Sequence, residues 1–157
     1  MPQLFGKVRN VELSTIQYLE TQIESSWTDV QVVKGFPDYT PDMKLPIVSV
    51  TLDQELTDYI EIGSRQTDDV YNFAIDIFGK STANRLDLAQ FIKDKLLLDW
   101  TYNEYTRASG ETLTATPAGK VNFIEFVTNE RVDFGSDVQA FDRFRHLITF
   151  TCRVRET

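Results

Sequence analysis

The segment spanning residues 143–155 constrains the fold of this 157-residue chain more than any other. Its sequence, R-F-R-H-L-I-T-F-T-C-R-V-R, alternates apolar and polar residues with one exception, Leu147. Successive side chains of a strand point to opposite faces of a sheet, so the segment predicts a β-strand with an apolar face and a cationic face. At about 3.3 Å per residue it would span roughly 40 Å, whereas common strands have about five or six residues. We therefore expect it either to bend or to pair beyond its own subunit.

Hydrophobic periodicity elsewhere predicts two helices and several further strands. Apolar residues at helical spacing indicate a helix over 11–25 with Asn10 as its N-cap. A second helix is predicted over 81–98, where Ser81 or Thr82 caps the first turn. Apolar and β-branched runs predict strands over 29–34, 47–52, 56–62, 70–78, 100–105 and 121–134. The last of these is expected to form a long C-terminal hairpin with 143–155.

Two segments between these elements are expected to be irregular. Residues 34–46 contain three prolines and predict an arm that either folds back on its own domain or docks on a neighbour through Phe36, Tyr39 and Met43. Residues 106–119 are poor in bulky apolar side chains and predict a long, mobile loop, with Leu113 as its docking residue.

The charge distribution limits the classes of partner. The chain carries 24 acidic and 16 basic residues, a formal charge of −8. An acidic protein gains nothing from counterion release, which argues against tight nucleic-acid binding by the whole surface. The acidic residues concentrate in one region: Asp53, Glu55, Asp58, Glu61, Asp68, Asp69 and Asp76. The single cysteine, Cys152, excludes an internal disulfide and indicates a buried thiol in a reducing compartment.

Three motifs that suggest chemistry lack the residues that the chemistry needs. Gly79-Lys80-Ser81-Thr82 follows a strand and opens a helix, but Ala74 occupies the position of the first P-loop glycine. His146 is the only histidine, so neither a zinc site nor a catalytic triad finds partners for it. The Asp68-Asp69 pair belongs to no calcium-loop motif. We expect no catalytic residue, metal or cofactor.

The cationic face of the closing strand has two interpretations. Arginine contacts the phosphate backbone of nucleic acids, and it also pairs with carboxylates in bidentate geometry across subunit interfaces. The acidic balance of the chain favours the second. The predicted interface joins the arginines of one subunit to the acids of another: Arg143, Arg145, Arg153 and Arg155 against Asp58, Glu61, Asp68 and Asp69.

The order of elements resembles a known family. Helix, short strand, proline-rich arm and strands precede Y-N-F-A-I-D-I-F-G-K-S-T-A-N-R-L-D-L-A-Q-F-I-K-D-K-L, and a long hairpin closes the chain. This order and length resemble the tail-terminator, or tail-completion, proteins of long-tailed bacteriophages over most of the chain. The strand, small-polar turn and amphipathic helix over 70–97 carry the resemblance most clearly.

The resemblance implies a fold, an oligomeric assembly and a location in the virion. The fold is α+β: a mixed, mostly antiparallel sheet with two main helices packed on it and a long C-terminal hairpin, in a single domain over 1–157. The implied protein is not an enzyme. It forms a homo-hexameric ring that caps the head-proximal end of the tail tube, ends tube polymerisation and contacts the neck. DNA passes through the lumen without specific binding. The expected location is the virion, assembled in the host cytoplasm, and no membrane-spanning segment is expected.

Two alternatives remain open from the sequence. One is a neck or head-closure adaptor, another ring of the same assembly. The other belongs to a different class, a stand-alone domain that binds a small ligand or peptide on its sheet. The second alternative predicts a monomer or dimer, so the mass of the purified chain separates it from both ring proteins.

Overall fold

The structure, a computed structural model, describes residues 3–35, 44–59, 67–108, 112–132 and 144–157, with the backbone alone at 58, 59 and 67. These residues form two helices and a seven-stranded sheet. The elements are β1 (Gln3–Leu4), α1 (Lys7–Glu24), β2 (Gln31–Lys34), β3 (Ile47–Tyr59), β4 (Thr67–Phe78), α2 (Thr82–Leu96), β5 (Trp100–Arg107), β6 (Leu113–Arg131) and β7 (Arg145–Glu156).

The sheet has the strand order β1-β5-β6-β7-β4-β3-β2. Every neighbouring pair is antiparallel except β2 and β3, which run parallel over 31–34 and 47–50. The expected α+β fold is therefore confirmed, including the mixed but mostly antiparallel sheet and the closing β6–β7 hairpin. The strand predicted over 143–155 is β7, and it lies in the middle of the sheet between β6 and β4.

The helices cover one face of the sheet, and the core lies between the helices and that face. The strands contribute Tyr71, Phe73, Ile75, Ile77, Ile148, Phe150 and Cys152, all fully buried, as the alternation predicts. Helix α2 adds Leu88, Ile92 and Leu96 at helical spacing, also fully buried. Ser81 is its N-cap, because its side chain accepts a hydrogen bond from the Asn84 backbone N–H at 3.2 Å. Burying each large apolar side chain stabilises the fold by about 1.5–3 kcal/mol.

The start of α1 differs from the prediction. Gly6 is the N-cap, and Asn10 lies inside the helix rather than at its end. The Asn10 side chain donates to the Phe5 carbonyl and accepts from the Tyr105 backbone N–H, both at 3.2 Å. Asn10 therefore ties α1 to β5 instead of capping the helix. The prediction failed because an asparagine side chain that could cap a helix can equally form hydrogen bonds to the backbone of a neighbouring segment.

Strand β3 also corrects the sequence analysis. The separate strands predicted over 47–52 and 56–62 are one continuous strand as far as Tyr59. A β-bulge shifts the register against β4 between Leu52 and Gln54. The extra residue, Asp53, breaks the alternation without ending the strand, so the periodicity falsely indicated a break.

The long loop predicted over 106–119 is wrong as well. Strand β5 continues to Arg107, and β6 already begins at Leu113. Pro117 is accommodated beside a bulge in the β5–β6 ladder, where the register shifts between Tyr102 and Asn103. Proline is tolerated at bulges and on strands that are open on one side, and this part of β6 extends beyond its β7 partner.

Candidate assembly surface

The cationic face of β7 and the acidic residues of β4 lie side by side within one chain. Arg145 contacts Asp76 Oδ1 through Nε at 2.8 Å and Nη2 at 2.7 Å, and the two side chains are only 16% and 10% exposed. Arg153 Nη1 lies 3.3 Å from Asp68 Oδ2, with both side chains about two-fifths exposed. Adjacent pairing of β4 and β7 thus brings these opposite charges together inside the subunit.

The structure describes only some of the other residues of the predicted charged interface. Arg155 is exposed near the end of β7. Asp69 Oδ1 accepts a hydrogen bond from Thr57 Oγ1 at 3.0 Å, across the β3–β4 hairpin. The backbone of Asp58 pairs with that of Asp68. Arg143 and Glu61 lie outside the described residues. Pairing of these charges between subunits stays a prediction, and Arg155 is its most exposed described arginine.

The predicted docking residues are also only partly placed. Phe36, Tyr39 and Met43 lie outside the described residues. Leu113 is half-buried at the start of β6, where it lines a groove of about 280 Å³ against Leu13 and Ile16 of α1. A second groove of about 410 Å³ continues along α1 past Ser14 and Tyr18. A docking role for these residues stays a prediction.

Two strands of the sheet have open edges, which follow from the stagger of the sheet. Strand β6 pairs with β5 over 113–121 and with β7 over 119–131. The side of 122–131 that faces away from β7 has no partner among the described strands; we call it the β6 open edge. Strand β3 pairs with β2 only over 47–50, so the side of 51–59 facing away from β4 has no described partner. We call it the β3 open edge.

Two bulges shape the β6 open edge. The register against β7 shifts between Phe123 and Glu125 and again between Phe126 and Thr128. The extra residues, Ile124 and Val127, are 37% and 65% exposed. Phe123 and Phe126 stay partly buried against the core with their ring centroids 4.6 Å apart. Each bulge thus adds an apolar residue that the sheet does not bury.

The outer side of α2 continues this apolar surface. Leu86 and Leu97 are 50% and 55% exposed and share one side of the helix with Lys93. The Lys93 ammonium lies 5.8 Å from the Phe126 ring centroid, which brings this side of α2 beside β6. We use the name apolar strip for the exposed apolar side chains of α2, of the two residues that follow it and of the β6 open edge: Leu86, Leu97, Leu98, Ile124 and Val127.

The sequence analysis missed the apolar strip. Its signal was present, since the run F-I-E-F-V over 123–127 is apolar on both faces of a regular strand. Such a run is typical of a strand covered on both sides, but here bulges turn two of its residues outward. The exposure of Leu97 and Leu98 follows from the end of α2 at Leu96.

The two open edges have opposite directions. Strands β3, β4, β7 and β6 form a block in which each neighbouring pair is antiparallel, so its two outer strands, β3 and β6, run in opposite senses. Two copies placed side by side in the same orientation therefore present β3 to β6 as antiparallel neighbours. Two different, complementary patches of this kind are what a closed ring requires.

The strand–turn–helix motif around Lys80 is structural. Lys80 Nζ forms an ion pair with Asp29, and its backbone N–H donates to Asn84 Oδ1 at 3.1 Å. Ile75 and Ile77 are fully buried within β4, so they do not form a phosphate-binding loop. The described residues bring no three His, Cys, Asp or Glu side chains together as a metal site. Neither α1 nor α2 has the length and apolarity needed to cross a membrane.

Comparison with known proteins finds similarity among solved structures. No family model matches the chain, and no curated protein matches it. Among solved structures, a chain of "Virion of native gene transfer agent (GTA) particle" is similar, with 15% sequence identity and a TM-score of 0.49. The match covers 97% of this chain and 98% of that chain.

Proposed function

We propose that this protein is a structural virion component that forms a hexameric ring and ends the tail tube of a phage-like particle on its head-proximal side. The observation that carries the proposal is the pair of open edges, which run in opposite senses at the two ends of one antiparallel block. The element order that resembles tail-terminator proteins supports the same role. No step of the proposed function involves bond-making chemistry.

In the proposed ring, the β6 open edge of each copy receives the β3 open edge of the next. Strand registers through β4 and β7 put Thr51 level with Thr128, and Leu56 level with Asn122. The two edges therefore overlap over 51–56 and 122–128 without an axial offset between copies. The bulge at Asp53 lies at the level of the bulged part of β6. Bulged edges discourage indiscriminate strand pairing, so they favour a specific partner.

The apolar strip supplies the hydrophobic contribution of this interface. Its five residues account for most of the large apolar side chains that the described part of the chain leaves exposed. Exposed apolar patches next to an open strand edge are typical of protein–protein contacts. The expected partners are further copies of the chain, the tail tube protein and the neck protein, with DNA in the lumen.

The first test measures assembly. The wild-type chain should give a mass six times that of one subunit by light scattering after gel filtration, and rings in negative stain. Ile124→Asp and Val127→Asp should shift the protein towards single subunits, because each places a charge in the apolar strip. Val8→Asp is the matched control, since Val8 is 37% exposed, as is Ile124, but lies on α1. Each loss of about 1.4 kcal/mol per interface weakens association tenfold.

The second test addresses the place of the ring in the particle. Disruption of the gene in the producing genome should leave filled heads and tail tubes of irregular length that do not join. Expression of the wild-type chain in trans should restore joined particles, whereas Val127→Asp should not. Strictly monomeric wild-type protein together with normal particles after gene disruption would refute the proposed function.

A further inference from the structure

A buried arginine with unpaired donors lies between α2 and the sheet. Arg85 is only 6% exposed. Its Nε and Nη1 atoms are both buried, and no acceptor among the described residues lies within hydrogen-bonding distance of either. Arg85 Cα and backbone N would each lie 3.1 Å from a Cβ placed on Gly79, so this turn of α2 packs directly on the end of β4. The backbone position of Arg85 is therefore fixed by the packing of α2 on β4.

Two further nitrogen-bearing groups face the same place. His146 is 7% exposed, and its Nδ1 atom is buried without a described partner. Its Nε2 atom lies 2.6 Å from Asn129 Oδ1. A carboxamide oxygen only accepts, so Nε2 carries the proton and Nδ1 presents a lone pair. Arg131 pairs with His146 across β6 and β7. We call Arg85, Arg131 and His146 the Arg85 cluster.

The charged groups that act on the cluster are positive. Burial lowers the pKa of His146, and the positive charge of Arg85 lowers it further. Burial also lowers the pKa of Arg85, with a contribution from the nearby charge of Arg131. Among the described residues, no carboxylate contributes to either shift. By contrast Arg145, close in sequence to His146, has its carboxylate partner Asp76 within the subunit.

A guanidinium stays charged at any physiological pH. A buried charge is costly unless it is both paired and hydrogen-bonded. Water can accept hydrogen bonds from Nε and Nη1, but it leaves the charge uncompensated. An oxyanion meets both needs, because its oxygens accept hydrogen bonds from a guanidinium and carry the opposite charge.

We propose that the Arg85 cluster binds one oxyanion beside the β6 open edge. The guanidinium of Arg85 donates to its oxygens and provides the opposite charge, and Arg131 adds a second positive charge from the rim. A bound anion favours protonation of His146, whose Nδ1–H then becomes a third donor. The source is either a free ion such as phosphate or the carboxylate of a neighbouring subunit. The inference goes beyond the proposed function, and binding of a free ion does not need a ring.

His146 provides a specific probe, because it is the only histidine in the chain. Its two ring carbon-bound proton signals are followed by NMR while inorganic phosphate is added at constant ionic strength, balanced with chloride. One series uses protein that elutes as single subunits, and a second uses assembled protein without phosphate. The measured quantities are the signal positions and the pKa of His146.

Two results support the proposal and identify the source. A saturable, phosphate-dependent rise of the His146 pKa in single subunits indicates a free oxyanion. A rise that occurs only on assembly, without phosphate, indicates a neighbour's carboxylate. In either case Arg85→Met should weaken the effect by about tenfold to a hundredfold, as expected for loss of a charge-assisted hydrogen bond.

Arg131→Gln is the second variant, because its side chain is exposed and its loss should leave the fold intact. It should weaken the effect less than Arg85→Met does. Arg155→Gln is the matched control, an exposed arginine at the far end of β7, and should leave the effect unchanged. A His146 pKa that responds neither to phosphate nor to assembly would overturn the proposal. So would an equal response in Arg85→Met and the wild type.

Discussion

Replacement of Asp76 by asparagine tests whether the charged face of β7 stabilises the subunit from within. Arg145 contacts Asp76 Oδ1 through two nitrogens at 2.8 and 2.7 Å, with side-chain exposures of 16% and 10%. Removing one partner of a buried pair costs about 3–5 kcal/mol, because the remaining charge stays buried. Some solvent reaches this pair, so we expect Asp76→Asn to lower the free energy of unfolding by about 3 kcal/mol.

Thermal unfolding followed by circular dichroism measures this loss. At about 2–4 °C per kcal/mol for a chain of this size, the midpoint should fall by roughly 6–12 °C. Asp68→Asn is the matched control on the same strand, since its partner Arg153 lies at 3.3 Å and both side chains are about 40% exposed. Exposed pairs contribute about 0–1 kcal/mol, so the control should shift the midpoint by less than about 4 °C.

Equal midpoints for Asp76→Asn and the wild type would refute the reasoning. That outcome would mean that the Asp76–Arg145 contact is energetically neutral within the subunit. Arg145 would then regain its place as an interface candidate equal to Arg155. If the expected loss is found, charge reversal at Arg145 also destabilises the subunit, so the exposed Arg155 is the better probe of the predicted interface.

Three further predictions concern stability and reactivity. Gly119→Ala should lower the free energy of unfolding by about 3 kcal/mol or more, because its Cβ would lie 2.2 Å from the Arg155 carbonyl oxygen; Gly6→Ala, with no atom within 4 Å, is the control for urea unfolding. Burial raises the pKa of the Cys152 thiol to about 12, so a thiol reagent should label it only at the rate of unfolding. Burial, assisted by Arg85, lowers the pKa of His146 below 6.5, so stability should be complete above pH 6.5 and decrease as the pH falls towards the folded-state pKa.

Each of these has a result that would contradict it. Wild-type stability in Gly119→Ala would mean that the β6–β7 contact relaxes easily. Labelling of Cys152 at the rate of a free thiol in native buffer would place it at an accessible position. For His146, the urea midpoint of the wild type should fall more between pH 7 and 5 than that of His146→Gln; parallel curves would show that its protonation is not linked to folding.

The local elements followed from the sequence because their causes are local. Alternation over 143–155 gave the two faces of β7, and Phe150 and Cys152 are buried on the predicted side. Helical spacing and the Ser81 cap predicted α2 almost to its ends. In both segments the spacing of apolar residues keeps one period, two for the strand and about 3.6 for the helix, without interruption. Where polar contacts or bulges intervene, as at Asn10 and Asp53, the boundaries were wrong.

The candidate surfaces depended on information that no local pattern contains. The sequence marked the arginines of β7 and the acids of β4 as interface candidates, but only the tertiary pairing showed that Arg145 and Arg153 contact acids within their own chain. The apolar strip and the Arg85 cluster escaped notice for the same reason. Their members lie on α2, β6 and β7, and meet only when the sheet is formed.

The sequence alone determined which segments form strands and helices and which side of each is apolar, since these properties depend on neighbours within a few residues. The tertiary structure decided which strands pair, where bulges shift the register, and which strand edges stay open. Those features depend on residues far apart in the chain. Because the proposed function depends on open edges and on unpaired donors, the part of the molecule that matters most for it is the part that only folding creates.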